Sequence, residues 1–196
     1  MTISNKAIDS FRGPYHALSN FYPVPLEWDK VTYPTLEHAY QASKLDPTHK
    51  DYRNLVAYIG QLSKTPGEAK IRCRTISNLA KDKGLVDPLK KDWESLRMPT
   101  MHGLLMAKFV PDGVLNPNCN LQKVLVNTYP KRLIEGNTWN DTFWGMIKGA
   151  NGEWIGHNYL GRLLMHVRGL LILFQAEVND TRIISRQSQP LTMSST

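Results

Sequence analysis

Apolar positions recur at helical spacing in several separate stretches of the chain. The stretch that organises the rest is Pro34–Lys44, where Leu36, Ala39, Tyr40 and Ser43 form a face that can bury. Thr35, near its start, is an N-cap residue type. Glu37, Gln41 and Lys44 recur at i, i+4 and i+7 and make a second stripe beside the first. On spacing alone, that stripe reads as a solvated helix face with a weak ion pair.

Further helical patterns follow. His49–Gln61 carries Leu55, Val56 and Ile59, and Asp46-Pro47 separates it from the first helix. Thr65-Pro66-Gly67-Glu68 has the order of a helix start, and the pattern runs to about Leu79. Lys70 and Arg74 share a face there, suited to phosphate or to water. Asp92–Arg97 reads as a short helix or an extended piece, and Pro99–Phe109 as a clear helix. Asn118–Asn127 is another, and His157–Phe174 has the strongest apolar face.

Between these, the pattern is irregular. Residues 1–10 read as a polar lead-in or short edge strand, and Val24–Tyr33 as a hairpin turning at Asp29-Lys30. Pro111–Pro117 is a loop, Thr128–Gly136 a short strand, and Lys148–Gly156 a flexible Gly/Asn-rich stretch. The expected fold is mainly α, an α+β chain with a few short strands, in one compact helical domain over residues 5–178. The polar residues 181–196 are expected to form a disordered tail.

Composition adds a partner class. A chain of 196 residues and 22.3 kDa fits one domain. A net charge of +7 and a pI near 9.4 favour an anionic ligand: a nucleotide, a nucleic acid or a phosphorylated metabolite. Cys73 and Cys119 are far apart, and the histidines show no HxxxH or HExxH spacing, so no metal and no cofactor are expected. No signal peptide is visible, and the apolar run Leu170–Phe174 is too short to span a bilayer. A cytoplasmic protein without membrane contact is expected.

Two loops are unusual. Phe11–Pro23 is dense in turn formers and rings, and Asn137–Gly145 holds two tryptophans, an aspartate and a glycine. Such rings either pack down on the core or face a base or sugar. Ser19, Asn20 and Phe21, then Glu37 and Lys44, then Trp93, Arg97 and Lys108, and finally Asp141, Trp144, Gly145, Asn158 and Arg168 are polar or aromatic residues in notable places. A basic, ring-lined pocket with two carboxylates suits a nucleotide-like ligand. It also suits cleavage of a glycosidic bond through a positively charged oxocarbenium-like state.

Ser19-Asn-Phe21, Thr35–Lys44, Asp92–Met98, Leu105–Phe109, Leu133-Ile-Glu135, Asn140–Gly145 and Gly156–Arg168, in this order, resemble the NADAR superfamily of YbiA-like N-glycosidases. The resemblance covers about residues 11–174 and departs at Gly149–Trp154 and in the tail. It implies a small, mostly helical domain that hydrolyses N-glycosidic bonds. Its substrate classes are phosphorylated ribosylamino-pyrimidines of riboflavin synthesis and ADP-ribose attached to guanine, in nucleoside or nucleic acid. By motif, Glu37, Trp93 and Asp141 correspond to active-site positions, and Lys44 is the polar end of its block.

The roles stay open at this stage. Glu37 sits in a helix first turn, where the dipole favours the carboxylate, so it suits a general base or charge stabiliser better than an acid. Asp141 either binds ribose hydroxyls, activates water or merely caps a turn. Lys44 either meets phosphate or attacks the sugar C1 as a Schiff-base amine, which needs burial to lower its pKa against the pull of Glu37. Trp93 and Trp144 stack on a base or fill the core. Arg168 binds phosphate or ties the last helix to the Glu135 region. The alternative to an enzyme is a non-catalytic ADP-ribose or nucleic-acid binding module.

Overall fold

The computed structural model describes residues 7–110 and 120–187, with side chains up to residue 177. The 111–117 loop, Cys119 and the last residues of the expected tail (188–196) lie outside the described residues, as do 1–6 of the lead-in.

The Phe11–Pro23 stretch is built around a 3-10 helix, Gly13–Leu18, which buries Ala17 and Leu18. The expected hairpin follows as β1 (Leu26–Trp28) and β2 (Val31–Tyr33), antiparallel, with Trp28 opposite Val31. Asp29 and Lys30 both have positive φ, 50° and 63°, as a two-residue primed turn requires. Tyr33 turns inward and is buried, which leads the chain directly into α1 (Leu36–Ala42).

Thr35 caps α1 by accepting the His38 N–H at 3.4 Å. Every residue of α1 is buried, including Glu37, His38 and Gln41. This overturns the solvated-face reading of the Glu37/Gln41/Lys44 stripe. The helix is enclosed on all sides because α3 (Pro66–Asp82), α4 (Trp93–Phe109) and a π-helical turn (Ala57–Gln61) all pack against it. The π turn continues α2 (Tyr52–Val56). Gly60 is obligatory there, since a Cβ would run into the ring of Tyr33.

α3 starts as its sequence dictates, with Thr65 Oγ1 accepting the Glu68 N–H at 3.1 Å, and runs to Asp82 rather than Leu79. α4 absorbs both the 92–97 piece and the 99–109 helix, with Pro99 inside it. α5 (Asn120–Val126) packs on α6 (Tyr159–Gln187), whose buried Leu160, Leu164, Val167 and Leu171 face the core. Phe174, expected in that face, is 40% exposed. α6 also continues through 181–187, which the sequence assigned to a disordered tail. Thr128–Gly136 is not a strand but a run held by isolated bridges, Ile8 with Leu133 and Gly136 with Met146. The Gly/Asn-rich stretch folds into a small hairpin, β3 (Ile147–Lys148) with β4 (Trp154–Ile155). No helix among the described residues is long and apolar enough to cross a membrane.

Candidate active site

A cavity of about 720 Å³ opens where α1, α3 and α4 meet the two irregular loops. Its volume lies within the usual range for small-molecule sites. Glu37, Tyr40, Gln41 and Lys44 reach it from α1, and Lys70 from α3. Trp93, Glu94, Arg97 and Met101 come from α4. Ser10–Arg12, His16 and Ser19–Phe21 form another side, and Glu135, Gly136, Trp139, Asp141, Trp144 and Leu160 complete it.

Glu37 is 7% exposed, and its Oε1 accepts the Gln41 side-chain N–H at 2.7 Å. Its own N–H donates to the Asn20 carbonyl at 3.0 Å, so α1 and the Ser19–Phe21 loop are locked together. Burial raises the Glu37 carboxyl above its ordinary pKa, against the opposing pull of Gln41, Lys70 and Lys44. Desolvation therefore outweighs the factors that favour the anion, the reverse of the helix-start expectation. Burial lowers the Lys44 amine in turn, against the pull of Cys73 and Glu37. Lys44 Nζ lies 5.1 Å from the Tyr40 ring centroid and 5.9 Å from that of Trp93.

The rings form a continuous wall. Tyr40 meets Trp93 edge-on at 5.3 Å and Trp144 at 5.7 Å. Asp141 serves two purposes: it lines the cavity, and its Oδ1 accepts the N–H groups of Phe143 at 3.1 Å and Trp144 at 2.9 Å. Arg97 is partly committed, to Glu94 at 2.8 Å and to the Phe143 ring at 3.4 Å from the centroid. Lys70 and Arg12 hold no ion pair among the described residues.

The structure thus brings Ser19, Asn20, Phe21, Glu37, Lys44, Trp93, Arg97, Asp141 and Trp144 to one cavity. Lys108, Gly145, Asn158 and Arg168 do not line it, and each has a structural reason for its place. Lys108 is 2% exposed, and its Nζ donates to the Ser19 carbonyl at 2.7 Å, propping the loop from below. Gly145 packs behind Glu135, where a Cβ would collide with the Glu135 carbonyl. Asn158 bridges Glu135 N–H and the Leu133 carbonyl at 3.0 and 2.8 Å. Arg168 Nη1 donates to Thr128 Oγ1 at 2.9 Å and the Lys131 carbonyl at 2.8 Å, away from the cavity. Arg168→Met is expected to cost about 1–3 kcal/mol by stranding those acceptors, without changing ligand affinity; denaturant unfolding and calorimetric titration measure the two.

Burial pushes Lys108 down from its ordinary value to about 7. With the folded pKa below the unfolded value of 10.5, keeping this amine neutral costs stability that accrues as pH falls from about 10.5 to about 7 and levels off below that. The thermal midpoint of the wild type should drop across that window, and Lys108→Met should flatten the drop. Parallel profiles would sink this account.

The sequence reading missed Gln41, Lys70, Arg12, Trp139 and Glu135 as lining residues. Gln41 and Lys70 were visible as partners in helical stripes, and Glu135 as the acid of the Leu133-Ile-Glu135 block.

The comparisons with known proteins bear on this geometry. Residues 9–172 match the NADAR domain model. The chain belongs to the NADAR family. It is 33% identical over 159 residues to N-glycosidase YbiA of Escherichia coli (strain K12), covering 81% of this chain and 83% of that one. It is 31% identical to N-glycosidase Npun_R5314 of Nostoc punctiforme, covering 79% and 85%. Against the maize protein named riboflavin biosynthesis protein PYRR, chloroplastic, identity is 34% over 164 residues, but the match spans only 24% of that longer protein. The NMR structure of E. coli YbiA superposes with a TM-score of 0.61 at 31% identity, covering 90% of each chain. The mainly helical single domain is thus the NADAR fold, and its close relatives carry N-glycosidase names.

Proposed function

We propose that this NADAR domain hydrolyses the N-glycosidic bond of a ribosyl compound that carries phosphate: an ADP-ribosyl guanine, free or in nucleic acid, or a ribosylamino-pyrimidine phosphate of the riboflavin pathway. One observation carries the reading. Glu37, Lys44 and Asp141 converge on a cavity that also holds the cations Lys70 and Arg12, neither of which has an ion pair among the described residues. The cations suit phosphate, the wall of Tyr40, Trp93 and Trp144 suits a base, and the carboxylates suit an oxocarbenium-like state. A binding module needs the cations and rings but not a buried carboxyl beside a desolvated amine. The N-glycosidase names of the relatives support the same class.

The test is incubation with NAD, ADP-ribosylated guanosine, ADP-ribosylated DNA and a ribosylamino-pyrimidine phosphate, followed by chromatography. Appearance of ADP-ribose or ribose phosphate together with the released base, guanosine or unmodified DNA from any one supports the proposal and names the substrate. Tight binding without products points to the module instead.

A further inference from the structure

We propose that Glu135 is the proton donor to the departing base, a catalytic residue separate from Glu37 and Asp141. The inference rests on the N-glycosidase reading above.

Glu135 is held with unusual completeness. Its N–H donates to Asn158 Oδ1 at 3.0 Å, and its carbonyl accepts the Met146 N–H at 2.9 Å. On its N-terminal side, Ile134 N–H donates to the Ile8 carbonyl at 2.8 Å. A Cβ at Gly145 would strike the carbonyl and side chain of Glu135, so the glycine exists to let the two segments meet. Asn158 has φ 53°, a strained setting for a non-glycine residue, and its amide spans Glu135 and Leu133. With both backbone groups of Glu135 committed, only its carboxyl is free. Glu135 lines the cavity, and its carboxyl makes no hydrogen bond among the described residues.

The surroundings separate it from Glu37. Burial and Asp141 disfavour the Glu37 anion, but the Gln41 amide, Lys70 and Lys44 all favour it. Glu135 is met by Asp141 and Glu37, which disfavour its anion, and by Arg12 alone in its favour. Burial, the largest cause, pushes the Glu135 carboxyl up to about 7. A site with carboxyls in such unlike settings divides the work between acid and base. The C1–N bond breaks with its electron pair going to the base nitrogen, which takes the proton from the Glu135 carboxyl. Over the full cycle, water supplies the hydroxyl bound to C1 and a proton that restores Glu135.

The experiment compares wild type, Glu135→Gln and Glu135→Asp on ADP-ribosylated guanosine and on NAD, whose nicotinamide departs neutral without a proton. For wild type acting on the guanosine, kcat should fall as pH rises through about 7. Glu135→Gln should lose at least ~100-fold there and lose the alkaline limb, the scale expected for a missing acid. On NAD it should stay within about tenfold of wild type, since no acid is needed. Glu135→Asp should retain the limb and part of the rate. Equal losses on both compounds, or an alkaline limb unchanged in Glu135→Gln, overturn the assignment; where wild type leaves NAD intact, the limb alone decides. A wild type inert towards every ribosyl compound instead overturns the N-glycosidase reading itself. Thermal midpoints of the variants, taken alongside, show that the fold is kept.

Discussion

Glu37→Gln is expected to keep the fold and ligand binding while lowering turnover by at least ~100-fold, the scale of lost acid–base or electrostatic assistance. The substitution is nearly isosteric. Its oxygen can still accept from Gln41, now 2.7 Å away, and the backbone tie to Asn20 is untouched. Only the charge and the titration go. Because burial raises the folded pKa of Glu37, its anion gathers as pH rises, so wild-type activity should climb on the acid side of the profile. The variant should lose that acid limb. Turnover equal to wild type in a well-folded variant would remove Glu37 from the chemistry.

Lys44→Arg carries the second large effect. The amine can attack C1 only when neutral, and the sequence left the balance between burial and Glu37 undecided. The structure tips it: burial dominates, and the Lys44 pKa is lowered. In the covalent route the neutral amine adds to C1, and the C1–N bond breaks as the base leaves with its electron pair and a proton. The opened sugar is held as an imine on Lys44, and water later hydrolyses that imine to free the sugar and the amine. Borohydride added during turnover should reduce that imine to a stable secondary amine, visible by mass spectrometry as a ribosyl adduct on Lys44. Arginine keeps the charge but cannot form the imine at ordinary pH. Activity should therefore fall by at least ~100-fold, with trapping abolished. If Lys44→Arg stays substantially active, Lys44 is an electrostatic contact, and Glu37 and Asp141 direct water onto C1.

Much of this arrangement can be read from the sequence where local chemistry decides it. The caps at Thr35 and Thr65 and the turn at Asp29-Lys30 depend on a few neighbouring residues, and they stand where their types predict. Three residue pairs show where reading stops. Glu37 and Gln41 have the spacing of a solvated stripe, and only the packing of α3 and α4 around α1 turns that stripe inward. Lys70 and Arg74 share a helix face, yet only Lys70 meets the cavity. Arg168 and Lys108 are cations of the right type, but each satisfies distant carbonyls in a buried position. Long-range placement also decides Glu135, which matters only because residues from 8 to 158 fix its backbone.

The cavity draws on segments from Ser10 to Leu160, so it has no existence in the unfolded chain. Any compound that fills it binds the native state alone and shifts the unfolding equilibrium by mass action. At a hundred times its dissociation constant, such a ligand adds about 2.7 kcal/mol to the unfolding free energy. For a chain of this length that is a rise of several degrees in melting temperature. Slow or non-hydrolysable ribosyl phosphates can therefore be ranked by melting-point shift before any product is sought. Because Lys44 and Glu37 change protonation within the same cavity, the ranking itself should depend on pH.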